Sequence, residues 1–302
     1  MAANRFGAIE AGGTKFVCAV GSSPNDLSAV ERIPTTTPAE TMARVRAYFE
    51  AQIAQGGPLQ AIGIATFGPA GVHPGAPEWG TILSTPKPGW SNTSLVQPLG
   101  DAFGVPVGFD TDVNGAALAE HRWGAGAGAN VSTYVTIGTG VGGGTVANGR
   151  IIHGLRHPEV GHFYPRRHGE DVQFSGICPF HGDCLEGLAS GPAIATRWGT
   201  SLSQLPSNHI AHEVIAYYLG QMVVNLQAVL APRRIILGGG VSQTPGLLEE
   251  VARAAKRLGN GYFAPAKDME RLISAPELGE RSGILGAVLL AEQALQKQAK
   301  NT

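Results

Sequence analysis

Short apolar runs bounded by glycine or polar residues recur along the chain, at residues 6–10, 16–20, 61–65, 105–110, 133–137 and 234–237. Runs of this length, closed by turn-forming residues, read as buried strands. Between them the period lengthens. Thr37-Pro38-Ala39-Glu40 has the form of a capping box with proline at the first helical position. Met42, Val45, Phe49 and Ile53 follow at helical spacing, so a helix should cover the first strands. Residues 113–123 read as the helix after the fourth run. Ile210–Leu230 is apolar around most of its circumference, which predicts a buried helix ending before Pro232. A last amphipathic helix, residues 283–298, should pack back on the first strands. Residues 68–92, rich in Gly, Pro and Trp with little periodicity, read as loops around a cleft.

Strands alternating with helices over 302 residues give an α/β protein with room for two domains, and 43% hydrophobic with 15% charged residues excludes disorder. The net charge of −1 offers no electrostatic footing for nucleic acid or an anionic membrane. No apolar run approaches the roughly 18 residues of a bilayer span, and the residues after Met1 lack the pattern of a secretion signal. The expectation is a cytoplasmic protein acting on small molecules. Three cysteines are too few for a disulfide framework in a chain this size, and two of them, Cys178 and Cys184, stand beside histidines.

Two segments, 8–20 and 135–147, repeat one design of apolar strand, glycine-rich turn and apolar strand. The first turn is Gly12-Gly13-Thr14-Lys15 and the second Gly138-Thr139-Gly140. Glycine lets backbone N–H groups converge on an anion, and each threonine adds a hydroxyl, so the pair reads as a duplicated phosphate clamp. Neither is a Walker A loop, because the spacing differs and the turn joins two strands. A third glycine turn, Gly238-Gly239-Gly240-Val241-Ser242, follows a strand and precedes a helix, a usual resting place for a nucleotide.

Asp110-Thr111-Asp112-Val113-Asn114 ends a buried strand and opens a helix. Asp112 is the candidate base, since phosphoryl transfer to an alcohol needs a carboxylate that orients the hydroxyl and takes its proton. Helix capping is the plainer role for such a residue, and Asp110 is available to share the work or reach Mg²⁺ through water. Cys178, His181 and Cys184 have C-x-x-H-x-x-C spacing and suit tetrahedral Zn²⁺, with His162, His153, His157 and His168 competing for the fourth position. The irregular stretch around them has few apolar residues, so the metal reads as a structural staple. Glu159 and Glu186 place carboxylates on the segments that metal would order, as a sugar site requires. Trp90 and Asn92 sit in a loop compatible with the sugar side, though Trp90 is more simply a core residue.

Taken together, these residues resemble the ROK sugar kinases of the actin and hexokinase-like superfamily, and among them the bacterial fructokinases. The likeness rests on residues 9–15, 84–90, 111–114, 159–162, 178–187, 189–192 and 238–241 and covers nearly the whole chain. It implies an actin/hexokinase-like, ribonuclease H-like duplicated fold of two domains with the active site in an interdomain cleft. The expected domains are 1–112, completed by the C-terminal helix of about 283–302, and 113–282 with the zinc loop. It implies ATP with Mg²⁺, structural Zn²⁺, a homodimer, and transfer to the 6-hydroxyl of a hexose, D-fructose first. Glucose, mannose and N-acetylmannosamine are the alternative acceptors, and a sugar-sensing repressor would carry a helix-turn-helix ahead of the first strand. By the same resemblance Asp112 is the base, and residues 12–15, 138–140, Pro192 and 238–242 serve ATP. Asn92, Asp112, Glu159, His162 and Glu186 serve the sugar, while His162 also joins Cys178, His181 and Cys184 on zinc. Where the superfamily commonly has Asp, this chain has Glu10.

Overall fold

A computed structural model describes residues 4–263 and 271–301. The chain divides into two compact units, Met1–Ala119 with His153–His157 and Glu280–Thr302, and Glu120–Ile152 with Pro158–Gly279.

In the first unit β1 (Phe6–Ala11), β2 (Lys15–Gly21) and β3 (Ser28–Pro34) run antiparallel, and β4 (Ala61–Thr66) and β7 (Val107–Thr111) extend the sheet in parallel. The order is β3-β2-β1-β4-β7. Between β3 and β4 lies α1 (Pro38–Gly56), begun as the capping pattern predicts: the Thr37 side chain accepts from the Glu40 amide and Pro38 opens the first turn. Val45 and Phe49 are sealed in the core, with Met42 and Ile53 packed at its margin. The 68–92 stretch is irregular apart from a two-strand ribbon, β5 (Thr81–Ile82) with β6 (Thr93–Ser94), followed by α2 (Val96–Phe103). Trp90 anchors it, fully buried against Phe16 and Phe67, its Nε1–H donating to the Thr36 carbonyl at 2.8 Å. Behind β7 comes α3 (Asp112–Trp123).

The second unit repeats the scheme. Here β10 (Arg150–Ile151), β9 (Val141–Ala147) and β8 (Val131–Ile137) are antiparallel, and β11 (Arg234–Gly238) and β12 (Ile273–Ser274) are parallel to β8, in the order β10-β9-β8-β11-β12. Strand directions match the first sheet position by position, which is the duplicated α/β architecture expected. Between β10 and β11 come the irregular stretch, α4 (Leu185–Ala189), α5 (Gly191–Trp198) and α6 (Ile210–Leu230). Val214, Ile215, Tyr218, Leu219, Met222 and Val223 of α6 are all inaccessible, as its uninterrupted hydropathy predicts, and α7 (Leu247–Gly259) lies against it.

The final helix, α8 (Ser282–Asn301), belongs to the first unit and lies across β4, β1 and β7. Glycine makes this approach possible. A Cβ on Gly63 would strike the Ala287 carbonyl, one on Gly108 the Leu290 carbonyl, and one on Gly286 the Gly115 backbone.

Candidate active site

Each sheet carries a glycine turn between its first two strands. In the first, the Gly12 amide donates to the Lys15 carbonyl at 3.0 Å, and the Thr35 hydroxyl donates to the Gly12 carbonyl at 2.7 Å. Gly13, Thr14 and Lys15 are exposed at its tip. In the second, the Gly138 amide donates to the Gly140 carbonyl at 2.9 Å and Thr139 is the exposed tip residue.

Around the second turn, segments far apart in sequence converge. The Gly191 amide donates to the Gly138 carbonyl at 2.8 Å, which seats α5, capped by Ser190, on the hairpin. The Val241 amide donates to the Ile137 carbonyl at 3.0 Å, which draws the third glycine turn onto the end of β8. Gly239, at φ 85°, leaves no room for a side chain against the Ile137 backbone. The Ser242 hydroxyl donates to the Gly239 carbonyl at 2.7 Å, closing the turn on itself. Together these segments line a cavity of about 420 Å³ whose walls include Gly138, Thr139, Gly191, Pro192, Gly240 and Val241. Backbone N–H groups, a threonine hydroxyl and a helix N-terminus around one hollow suit a phosphate-bearing ligand.

On the first unit, β7 delivers Asp110 and α3 opens with Asp112. The capping role falls to Thr111, whose Oγ1 accepts from the Asn114 amide at 3.2 Å. Asp112 is half-buried and one of its oxygens accepts from the Val113 amide at 2.9 Å. Asp110 is sealed and fully engaged: Oδ1 accepts from the Thr111 amide at 2.8 Å and from Asn114 Nδ2 at 2.6 Å, and Oδ2 lies 2.9 Å from His153 Nε2. Asp112 is the more accessible of the two carboxylates. Glu10 lies against Gly283 at the start of α8. Burial first, and then the negative charge of Asp112, push its carboxyl up to about 7. Asn92, at φ 58°, is exposed beside the Trp90 anchor.

The four competing histidines separate. His153 goes to Asp110, His157 Nε2 accepts from the Ala70 amide at 3.3 Å, and His168 Nδ1 accepts from the Glu170 amide at 3.2 Å. His162 joins Cys178, His181 and Cys184, their ligand atoms all within 4.8 Å of one another. Zinc at about 2.3 Å from sulfur and about 2.0 Å from nitrogen calls for tetrahedral edges of about 3.3 Å between nitrogens and about 3.5 Å between nitrogen and sulfur. The two Nδ1 atoms are 3.3 Å apart, and the Nδ1–Sγ separations are 3.5, 3.7 and 3.8 Å. Burial, with Cys178 alongside, holds the Cys184 thiol at about 11, so a metal entering the cluster must displace protons.

Glu186 follows Cys184 by two residues, on α4, and its Oε2 accepts from the Val141 amide at 2.9 Å. Glu159 precedes the single helical turn Val160–His162, whose Gly161 packs on the Val141 carbonyl with no space for a Cβ. The candidate sugar carboxylates therefore sit on segments pressed against the second hairpin. A group that sequence reasoning missed fastens the same stretch elsewhere. Asp171, inaccessible, pairs with Arg197 and accepts from the Tyr218 hydroxyl at 2.5 Å, while Arg167 donates to the carbonyls of Asp171 and Phe174.

The duplicated sheets, with a glycine turn in each and a carboxylate at the head of α3, define the actin- and hexokinase-like class of phosphotransferases. Within it, the chain belongs to the ROK family, whose model matches residues 6–294. It is 48% identical to the fructokinase of Zymomonas mobilis, over 97% of this chain and 98% of that protein. The ROK hexokinase of Thermus thermophilus superposes with a TM-score of 0.79 at 28% identity, covering 99% of this chain and 100% of that one. A ROK glucokinase of Streptomyces griseus, solved with glucose and AMPPNP, gives 0.70 at 25% identity over 96% of this chain and 100% of that one.

Proposed function

We propose that this chain is an ATP-dependent hexose 6-kinase whose substrate is D-fructose. The observation that carries it is the cavity formed where Gly138-Thr139, Gly191-Pro192 and Gly240-Val241 meet, taken with Asp112 at the first turn of α3. The similarity to the Zymomonas mobilis fructokinase supports fructose as the acceptor.

In this reading the second unit's cavity holds ATP, with Gly138, Thr139 and Gly140 at the phosphates and Pro192 with residues 238–242 around the nucleoside. Gly12, Gly13, Thr14 and Lys15 serve the phosphates from the first unit's turn. Glu159, His162 and Glu186, with Asn92, hold the sugar hydroxyls; His162 directs Nδ1 to the metal cluster, which leaves Nε2 for the sugar. Asp112 accepts a hydrogen bond from the primary hydroxyl and takes its proton as that oxygen attacks the γ-phosphorus and ADP departs. Mg²⁺ arriving with ATP supplies charge neutralisation on the transferring group. His162, Cys178, His181 and Cys184 would hold Zn²⁺ as a structural ion.

Asp112→Asn should leave sugar affinity within several-fold and lower turnover by at least about a hundredfold, the usual scale for loss of a general base. An ADP-release assay across fructose, glucose, mannose and N-acetylmannosamine tests the acceptor. Highest kcat/KM on a sugar other than fructose would overturn the substrate, and near-normal turnover in the variant would remove Asp112 from its role.

A further inference from the structure

Asp110 stands at the end of a row that the first sheet aligns, Glu10 on β1, Ala65 on β4 and Asp110 on β7. Its side chain is only 4% exposed. An anion at that depth is costly unless matched by charge or hydrogen bonds. His153 supplies the match from outside the strand and helix that carry the motif. Donating a hydrogen bond to Asp110 raises the proton affinity of the imidazole against the opposing effect of its burial. The segment bearing His153 is itself held, since His73 Nε2 lies 2.7 Å from the Gly154 carbonyl and the two rings meet edge to face at 5.9 Å.

What Asp110 does with its other oxygen gives this pair its significance. Oδ1 fixes the amide of Thr111, the last residue of β7 before Asp112, and the side chain of Asn114, two residues beyond it in the first turn of α3. Thr111 in turn caps Asn114. Asp112 is thus carried on a turn whose two neighbours answer to one buried carboxylate.

We propose that His153 is a positioning residue of the phosphoryl-transfer site: by holding Asp110 it sets the direction in which α3 presents Asp112. The proposal rests on the reading of Asp112 as the base. It assigns His153 no contact with substrate. Misplacement of a catalytic group by about 1 Å costs on the order of a hundredfold in rate, so even a partial loosening should register in kcat.

The test compares two neutral replacements alongside Asp112→Asn. The amide nitrogen of His153→Gln falls near the place of Nε2 and can donate to Asp110, whereas His153→Asn is too short. The Gln variant should keep kcat within about threefold of the parent and the Asn variant should lose about tenfold or more, with KM for ATP and sugar little changed in both. Equal kcat in the two variants, measured while Asp112→Asn is inactive, overturns the positioning role and leaves Asp112 as the base. A shift confined to KM overturns it as well. Activity retained in Asp112→Asn removes the base reading itself, and the two failures are therefore separable. Melting temperatures of both His153 variants check that the comparison is made between folded proteins.

Discussion

Glu10 sits on β1, just ahead of the first glycine turn. The structure sets it under α8, beside Asp112, with its carboxyl raised to about 7. A folded-state value above the unfolded 4.5 means that the protonated form is favoured by folding. The contribution is complete below about pH 4.5 and is lost as pH rises through about 7, a change of about 3 kcal/mol. Glu10→Gln should therefore flatten the stability profile between pH 5 and 8 and unfold at higher urea than the parent at pH 8. Matching urea midpoints at pH 8 would show that Glu10 is not held in this state. Four imidazoles looked equivalent as partners for two cysteines, because residue type says nothing about which ring a distant strand will claim. Asp110 claimed His153 and the Ala70 amide claimed His157.

Local signals carried the elements well where the physics is local. The Thr37 to Glu40 cap and the Ile210–Leu230 helix depend on neighbours within a turn or two, and both appear where the pattern puts them. β3 was not legible. Its sequence, Ser-Ala-Val-Glu-Arg-Ile-Pro, interrupts apolar positions with charges, and it is a strand because β2 offers it an edge. The irregular stretch before α4 also hid half of its own fastening. Composition called for a metal staple, and the Cys/His cluster fits one, but Asp171 adds a second through Arg197 and Tyr218. Two consequences are measurable. Chelation should lower the melting temperature before it alters turnover at temperatures where the protein stays folded; an unchanged melting temperature after zinc removal would contradict the structural role. Asp171→Ala should cost about 3–5 kcal/mol in urea unfolding, because it strands buried arginine charge, and a loss below about 1 kcal/mol would show the network to be idle.

At the scale of the molecule, the repeated glycine turns announced a duplication, and the two sheets with one strand order bear it out. How tightly the last helix is seated is far less legible in the chain. Gly63 and Gly108 are unremarked glycines within strands, yet each stands where a helix backbone passes. Gly63→Ala should lower stability by about 3 kcal/mol or more through overpacking, while Gly169→Ala, with open space at that Cβ position, should have little effect. Equal urea midpoints for the two variants would mean that α8 shifts without cost.

The seating of α8 also orders events during synthesis. The strands of the first unit leave the ribosome early, but the helix that covers β1, β4 and β7 is encoded by residues 282–301. Since domains generally fold as they emerge, the nascent chain must carry an uncovered sheet face while the whole second unit is translated, and that interval is when it most needs a chaperone.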